Sequence, residues 1–470
     1  MPSKNSTIAF TSALEQARLI RERQITPLEL TELYLSRIDH QYDPQLGSFY
    51  YVAQESAIAD AKQKTARLTQ TDPSHLPPFF GVPISIKDLK SVADMPITYG
   101  ISALKEKISQ SDEGVVAKIR QAGFIILGKT ATSQLGSFPY TEPEHFAPTR
   151  NPWNLDYTPG GSSGGAAAAL AGGLCSMALG GDAGGSIRGP AACCGLVGIK
   201  PSRGRISLAP VGDRLSGLGT HGILTRTVAD AAAFLDIASG YIAGDPYWLP
   251  QPETPFLAAT QQSLPPLKIG YITSLLPVGE PAPLCQQSVF NVVQQLESMG
   301  HQTIPQAIDL SSLIEPFKTV WSTAVAASEV PPELLTPMNR WVLAQSGTAG
   351  EYLQAVTQMQ LFARQLIEMF TSIDVLVAPT YMHPAIKVGE WANLSPEETF
   401  ERIVNWIFPC PPFNVTGQPV VNIPAGFDDN NVPLGVQLVG KPGCEATIIA
   451  LAAQLEQAQS WYKLRPDKFA

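Results

Sequence analysis

Charged residues are scarce in this chain: they make up 16% of its 470 residues, against roughly 25% in ordinary globular proteins. The 32 basic and 41 acidic residues give a net charge of −9. Without an excess of positive charge, the chain has no field that would attract nucleic acid or anionic lipid. Because 44% of the residues are apolar, the low charge indicates a large buried core and not disorder. We therefore expect a globular protein that does not bind nucleic acid directly.

Long hydrophobic runs are also missing. The uncharged stretch at residues 159–181 consists mainly of Gly, Ala and Ser and lacks the hydrophobicity of a spanning helix. The first twenty residues contain no apolar run of the kind that marks a secretory signal. These features predict a cytoplasmic protein with no membrane span.

Cysteine and histidine are sparse, with six residues of each type. Six cysteines scattered over so large a chain exclude the disulfide framework of a small secreted domain. Cys193 and Cys194 are neighbours, but no histidine or second cysteine pair lies at the spacing of a metal site. His221, His301 and His383 each stand alone in the sequence. We therefore predict neither a metal site nor a histidine-based triad.

Two matches to known motifs do not fit their surroundings. Residues 123–130, GFIILGKT, match the phosphate-binding pattern GxxxxGK[ST], but the central FIIL predicts a buried strand whose amides belong to a sheet. Residues 160–164, GGSSG, match the GxSxG nucleophile elbow, which needs a strand directly before it. The preceding NPWNLDYTP contains two prolines and cannot be a central strand. We reject both interpretations.

Helical and strand patterns alternate along the chain and predict an α/β fold. Near the N-terminus, Ser12-x-x-Glu15 and Thr26-Pro27-x-Glu29 predict two helices that begin with capping boxes. Length alone suggests about three domains, but no charged or low-complexity linker separates the patterns, which argues against independent domains. Short runs of β-branched and apolar residues predict strands at residues 81–88, 124–127, 268–272, 375–378, 420–423 and 435–439.

Glycine is concentrated in two loops that carry serines. Residues 160–165 read GGSSGG and residues 181–190 read GDAGGSIRGP, and the alanine-rich stretch between them predicts a helix that brings the loops together. Glycines leave the serine hydroxyls and the loop amides open to a ligand, although a tightly packed turn–helix–turn would explain them equally well. Asp182 and Arg188 favour a ligand site, because a pair of opposite charges would hold the loop in shape. The alternative is that the two residues form an ordinary ion pair on the surface.

The strand at residues 81–88, GVPISIKD, ends on Lys87. The residues by themselves favour an exposed lysine paired with Asp88 over a functional amine.

Taken together, these blocks resemble the amidase signature family of serine hydrolases. The resemblance rests on GGSSGG, on GVPISIKD, and on GGDAGGSIRGPAACCGLVGIKPSRGRIS at residues 180–207, with flanking blocks over most of the chain. It implies a single large α/β/α domain with a central mixed β-sheet surrounded by helices. The implied divisions are one amidase domain at 1–470, a helical segment at 1–70 packed on it, a signature core at 81–207 and a variable substrate-side region at 240–375.

The resemblance also implies a Ser-Ser-Lys triad and reverses the interpretation of Lys87 as an exposed residue. Ser186 would be the nucleophile, Ser162 the bridging serine, which the family holds with a cis peptide bond, and Lys87 the base. Ser163 is the less suitable bridge. The remaining implied residues are Ala183, Gly184, Gly185 and Gly136 for the oxyanion or substrate, and Ser163, Asp182 and Arg188 for loop support.

The implied activity is hydrolysis of the C–N bond of a small carboxamide to a carboxylic acid and ammonia, through an acyl-enzyme and without metal or cofactor. A buried lysine with a lowered pKa would replace histidine as the base. The alternative is the A-type subunit of a tRNA-dependent amidotransferase. The tyrosine- and glycine-rich block of those subunits is missing from residues 310–365, which favours a stand-alone amidase. A stand-alone amidase is compatible with a homodimer.

Two positions depart from the family pattern. Gly181 stands where a hydroxyl residue usually precedes the aspartate, and Leu89 stands where asparagine commonly follows the Lys-Asp pair; neither belongs to the implied triad.

Aromatic residues of the variable half are candidates for an apolar acyl pocket, or alternatively for the core: Trp321, Trp341, Phe362 and Trp406.

Overall fold

The computed structural model describes residues 4–469. Within them, eleven strands form one sheet. The strands are β1 Phe49–Val52, β2 Pro83–Lys87, β3 Ile125–Thr130, β4 Met177–Asp182, β5 Val197–Lys200, β6 Thr220–Thr225, β7 Lys268–Leu276, β8 Gln302–Asp309, β9 Val375–Pro379, β10 Val420–Phe427 and β11 Pro433–Gly440. Their order across the sheet is β1-β3-β2-β4-β6-β5-β10-β11-β9-β7-β8.

Helices fill most of the segments between the strands. The α-helices of the described residues are α1 Lys4–Ala9, α2 Ala13–Arg21, α3 Pro27–Ser36, α4 Asp43–Leu46, α5 Gln54–Gln70, α6 Gly114–Gln121, α7 Gly164–Ala171, α8 Arg188–Cys194, α9 Val228–Ala238, α10 Phe256–Ala259, α11 Pro283–Ser298, α12 Ile314–Ala326, α13 Pro337–Ala344, α14 Ala349–Glu368, α15 Pro396–Ile407, α16 Pro411–Val415 and α17 Glu445–Gln459. Of these described helices, none has both the length and the hydropathy needed to cross a bilayer.

The sheet is mixed. β2 runs parallel to both β3 and β4, and β7 runs parallel to β8 and β9. The central strands β4, β6, β5, β10, β11 and β9 pair with their successive neighbours in antiparallel fashion. One sheet therefore includes strands from both halves of the chain, and the predicted single α/β domain with a central mixed sheet is confirmed.

The sheet has a hydrophobic core on each face. Successive side chains of a strand point to opposite faces, and β9 shows this directly. Val375 and Val377 belong to one buried cluster, whereas Leu376 and Ala378 belong to the other. Residues of α7, α9 and α17 complete the first cluster, and residues of α12, α14 and α15 complete the second. Strands buried on both faces explain the low charge of the sequence.

The strand predictions are confirmed, with shifted ends. The strand predicted at 124–127 is β3, Ile125–Thr130, and all six of its residues are buried. Its amides belong to the sheet, in agreement with the rejection of the phosphate-loop interpretation. The predicted helix between the serine loops is α7, and no strand lies directly before the GGSSG segment.

Only one of the two predicted capping boxes forms. At α3, Thr26 and Glu29 cap each other reciprocally, with Pro27 at the first helical position. At α2, the Ser12 hydroxyl accepts from the Glu15 amide at 3.1 Å. The Glu15 carboxylate, however, binds the Arg18 guanidinium at 2.6 Å. The prediction of a full box at Ser12 is wrong, because an arginine one turn later takes the carboxylate.

The N-terminal helices are fixed to the domain by a buried carboxylate. Asp230 of α9 is fully buried and accepts hydrogen bonds from the amides of Ala13 and Leu14 at 2.8 and 3.0 Å. These are amides at the start of α2 that have no partner inside the helix. The burial raises the pKa of Asp230 to about 6.

Replacement of this carboxylate tests the anchor. In Asp230→Ala, two buried amides lose their acceptor, at a cost of about 2 kcal/mol. We expect amide hydrogen exchange in α2 to accelerate ~30-fold. Asp236→Ala is the matched control, since Asp236 accepts in the same way from the Phe256 and Leu257 amides of α10. Equal exchange of α2 in both variants would contradict the assignment.

Candidate active site

Lys87 is buried at the carboxyl end of β2. All five residues of this strand are buried, and parallel neighbours flank it on both sides. The Lys87 side chain is 1% exposed, and its Nζ lies 2.7 Å from Ser162 Oγ and 2.9 Å from Ser163 Oγ. Asp88 pairs instead with Lys129 at 3.0 Å. The interpretation of Lys87 as an exposed partner of Asp88 is therefore wrong.

The two serine loops meet beside this lysine. Ser162 and Ser163 are buried directly before α7, and the Gly161–Ser162 peptide bond is cis. The Ser163 amide donates to the carbonyl oxygen of Ser186 at 3.3 Å, which joins the first loop to the second. Ser186 is half-buried in the turn between β4 and α8. Lys87, Ser162 and Ser186 thus come from three different elements that converge at one end of the sheet.

The Lys87 amine has no carboxylate partner among the described residues. Burial lowers the pKa of Lys87 well below its ordinary value, and the charge of Lys90 lowers this pKa further, against an opposing effect of Asp182. This shift favours the unprotonated amine, whose lone pair can accept a proton.

Asp182 and Arg188 form a buried ion pair that shapes the second loop. Arg188 Nη2 lies 2.9 Å from Asp182 Oδ1, and both side chains are fully buried. The Asp182 carboxylate also accepts from the amides of Gly185 and Ile187 at 2.8 and 3.1 Å. Although burial opposes ionisation, Arg188 outweighs it and holds the pKa of Asp182 well below its usual range. The pair predicted from the sequence is therefore formed, and it fixes the backbone on both sides of Ser186.

Three amides of the second loop lack an acceptor among the described residues. The Gly185 amide is used by Asp182, whereas the amides of Ala183, Gly184 and Ser186 donate to no group in the part of the chain that is described. A Cβ at Gly184 would lie 3.1 Å from Phe317 Cζ. Gly185 has a φ of +122°, and a Cβ at this residue would lie 2.8 Å from Cys410 Cβ. Only glycine fits at Gly185 without strain.

Gly136 lies beside Ser162. A Cβ at this residue would lie 3.4 Å from Ser162 Oγ and 2.7 Å from Leu89 Cδ1. The Gly136 amide donates to the carbonyl oxygen of Ser133 at 2.9 Å. Gly136 therefore forms a wall next to the serine, and its own amide is not available to an oxyanion.

Comparison with known proteins gives the family. The sequence model of the family described as Amidase matches residues 29–449. The chain belongs to the amidase family. It is 53% identical to a putative amidase of Synechocystis sp. over 455 residues, which cover 97% of this chain and 90% of that protein. An amidase-family chain of this kind is a hydrolase that acts on amides.

Two solved structures of the amidase family fold in the same way. The structure of 6-aminohexanoate cyclic dimer hydrolase complexed with substrate has a TM-score of 0.90 at 29% identity, covering 98% of this chain and 100% of that one. The A-type subunit of the glutamyl-tRNA(Gln) amidotransferase from Thermotoga maritima has a TM-score of 0.77 at 25% identity, covering 95% and 94%.

The sequence did not single out two polar residues that hold the Asp182–Arg188 pair. Asn414 donates to Asp182 Oδ1 at 2.9 Å and accepts from Arg188. Gln437 accepts from Arg188 Nη1 at 2.8 Å and donates to the carbonyl oxygens of Pro379 and Pro409. Both lie within blocks that the family resemblance includes, FNVTGQ and PLGVQLVG. A polar side chain inside an apolar strand or helix was the available signal, because such groups are buried only with partners.

Two of the four aromatic candidates lie in the core and two lie at its edge. Trp406 and Phe362 are buried in the second core, and Trp406 Nε1 donates to the His383 carbonyl oxygen. Trp321 and Trp341 are half-buried and pack at the edge of the same cluster.

Across residues 4–469, no group of three or more His, Cys, Asp or Glu side chains is arranged to hold a metal ion.

The buried ion pair is open to a direct test. Arg188→Met leaves the Asp182 charge without its cation, and we expect the free energy of unfolding to fall by about 3 to 5 kcal/mol. Lys441→Met is the control, because the Lys441–Asp374 pair is more than one-third exposed and contributes less than about 1 kcal/mol. Urea unfolding measures both variants, and equal losses would contradict a structural role for the buried pair.

Proposed function

We propose that this chain is a serine amidase in which Ser186 is the nucleophile, Ser162 relays protons and Lys87 is the base. The observation that carries the proposal is the buried Lys87 amine, 2.7 Å from Ser162 Oγ and without a carboxylate partner among the described side chains. Serine is a weak nucleophile unless a base takes its proton.

Acylation follows from this arrangement. Ser186 Oγ attacks the amide carbon while its proton passes to Ser162 Oγ, and the Ser162 proton passes to the Lys87 lone pair. A tetrahedral intermediate forms with a negative charge on the former carbonyl oxygen. Collapse of the intermediate breaks the C–N bond, and the proton returns from Lys87 through Ser162 to the leaving nitrogen. The products of this step are ammonia, from a primary amide, and an ester on Ser186.

Deacylation uses the same groups in the reverse direction. A water molecule attacks the ester carbon and gives a proton through Ser162 to Lys87. The second intermediate then releases the carboxylic acid, and Ser186 regains its proton. Lys87 is therefore unprotonated at the start of each half-reaction, and the cycle consumes one water molecule per amide.

The amides of Ala183, Gly184 and Ser186 are the proposed donors to the oxyanion. Such donors are worth roughly 3 to 4 kcal/mol each in comparable sites. Gly185 is left out of the donor set because its amide is used by Asp182 at 2.8 Å. Its role is to permit the backbone turn, and Gly136 supplies a wall beside Ser162.

We propose an uncharged amide with an apolar acyl group as substrate. Support comes from the aromatic side chains next to the loop: Phe317 lies over Gly184, and its ring centroid is 6.0 Å from that of Trp321. Trp321 in turn lies 6.3 Å from Phe138. One similar solved structure is named 6-aminohexanoate cyclic dimer hydrolase. That name is consistent with a neutral amide substrate in this fold.

The second candidate is the A-type subunit of a tRNA-dependent amidotransferase. The likeness to the corresponding chain of the Thermotoga maritima enzyme supports it, with a TM-score of 0.77. An A-type subunit needs a partner chain to complete its reaction. Ammonia release from a simple amide by this chain purified alone would favour the stand-alone amidase.

Labelling of the nucleophile tests the proposal. A fluorophosphonate is expected to add once to the wild-type protein, at Ser186, because the reagent traps an activated serine. Ser186→Ala is expected to show no adduct by intact-mass spectrometry and no ammonia release from a panel of alkyl and aryl amides. Ser74→Ala, at an exposed serine, is the control. An adduct that persists in Ser186→Ala would rule out this nucleophile.

The base is tested through pH. With the Lys87 pKa lowered by burial, labelling in the wild type is expected to fall only as pH drops below that pKa, where the amine gains a proton. Lys87→Met removes the base, so labelling at neutral pH is expected to fall by roughly 10²- to 10⁴-fold. A small recovery at high pH is expected, where hydroxide replaces the amine. An unchanged rate at neutral pH would exclude Lys87 as the base.

A further inference from the structure

A second lysine lies close to the proposed base. Lys90 follows β2 in a tight turn, in which its amide donates to the Lys87 carbonyl oxygen at 3.1 Å. Its side chain is 16% exposed, and its Nζ lies 3.9 Å from Glu113 Oε2. Glu113 is itself held in place, since its carboxylate accepts from the Ser91 amide at 3.1 Å. The ammonium of Lys90 is therefore fixed near the end of β2.

Gly181 lies against this ammonium. A Cβ at Gly181 would lie 3.4 Å from Lys90 Cε and 3.6 Å from Lys90 Nζ, which are ordinary van der Waals contacts. The hydroxyl residue that usually precedes the aspartate would therefore pack directly against the lysine. Gly181 also accepts, through its carbonyl oxygen, from Ser163 Oγ at 3.5 Å. The departure from the family pattern at Gly181 thus coincides with a lysine packed on the strand that carries Asp182.

The carboxylates near Lys87 are already paired with other cations. Three ion pairs account for them: Lys129–Asp88 at 3.0 Å, Arg188–Asp182 at 2.9 Å and Lys90–Glu113 at 3.9 Å. Three positive and three negative charges cancel in this set. A proton on Lys87 would add a fourth cation with no counter-ion among the described side chains, on a side chain that is buried.

The other titratable groups on the packed elements do not offset that charge. Burial lowers the pKa of His221 on β6 well below its ordinary value, and Lys90 lowers it further. Burial lowers the pKa of Lys200 on β5 to about 7. Burial raises the pKa of Tyr99. None of these groups provides a negative charge at neutral pH, so Lys90 is a fixed cation that a protonated Lys87 would oppose.

We propose that Lys90 is a positioning residue: its ammonium, seated over Gly181 and anchored by Glu113, disfavours a second positive charge on Lys87 and keeps that amine unprotonated. This inference rests on the proposed function of Lys87. A neighbouring cation is a known means of activating an enzymatic amine. Lys90 itself takes no part in the transfer of protons between Ser186, Ser162 and Lys87.

The experiment is the pH profile of fluorophosphonate labelling at Ser186. The acid limb of this profile is the pH range in which labelling falls as Lys87 gains a proton. In Lys90→Met, the acid limb is expected to move to higher pH by about one unit, so that labelling at pH values below it falls by ~10-fold. Lys90→Arg keeps the charge and is expected to retain the wild-type limb. Glu113→Gln frees the charge of Lys90 from its counter-ion and is expected to move the limb downward.

Gly181→Thr provides a variant in which Lys90 remains but is displaced. It is expected to move the acid limb in the same direction as Lys90→Met, and thermal unfolding and circular dichroism check that each variant is folded. Superimposable limbs for wild type and Lys90→Met, or equal shifts in Lys90→Met and Lys90→Arg, would overturn the inference. A change in the KM of an amide substrate with an unmoved limb would also overturn it, since Lys90 would then contact substrate.

The same series separates this inference from the proposed function. If the wild-type protein is not labelled at Ser186, both fail. If Ser186 is labelled and Lys87→Met loses labelling while the limb of Lys90→Met stays in place, only the role of Lys90 fails.

Discussion

The site depends on an amine that is removed from water without a carboxylate beside it. A buried lysine with a counter-ion stays charged and is useless as a base, whereas one without a counter-ion gives up its proton. The fold meets this condition by giving the neighbouring carboxylates other partners: Arg188 takes Asp182, and Lys129 takes Asp88. In the proposed mechanism, the buried ion pairs therefore favour an unprotonated Lys87 as well as the shape of the loops around it.

Much of the fold could be predicted, because its signals are local. Alternating apolar runs and helical periodicity depend on neighbours a few residues away, and they located the strands β2, β3, β7, β9, β10 and β11. Strand ends were less certain, since pairing partners decide where a strand stops. The capping box at Ser12 failed for a related reason. Glu15 has two possible partners, and the sequence does not weigh Arg18 against the Ser12 amide.

For the site, the family motifs located the serines and the lysine, but not the residues that hold them. Asn414 and Gln437 lie 226 and 249 residues from Arg188 and reach it only through the order of strands in the sheet. The packing of Lys90 on Gly181 was equally hidden, because the two residues lie far apart along the chain and no motif singles out Lys90. Long-range polar contacts of this kind depend on topology, which a motif does not encode.

The reach of Arg188 has a consequence for how the protein is made. The loop that carries Ser186 lies in the first half of the chain, yet Arg188 bonds Cys410 and Gln437, 222 and 249 residues later. During synthesis, Asp182 and Arg188 are in place long before those partners leave the ribosome. The loop that carries Ser186 therefore gains its last hydrogen-bond partners only when Cys410 and Gln437 are in place. The completed loop is a property of the whole chain and not of its first half alone.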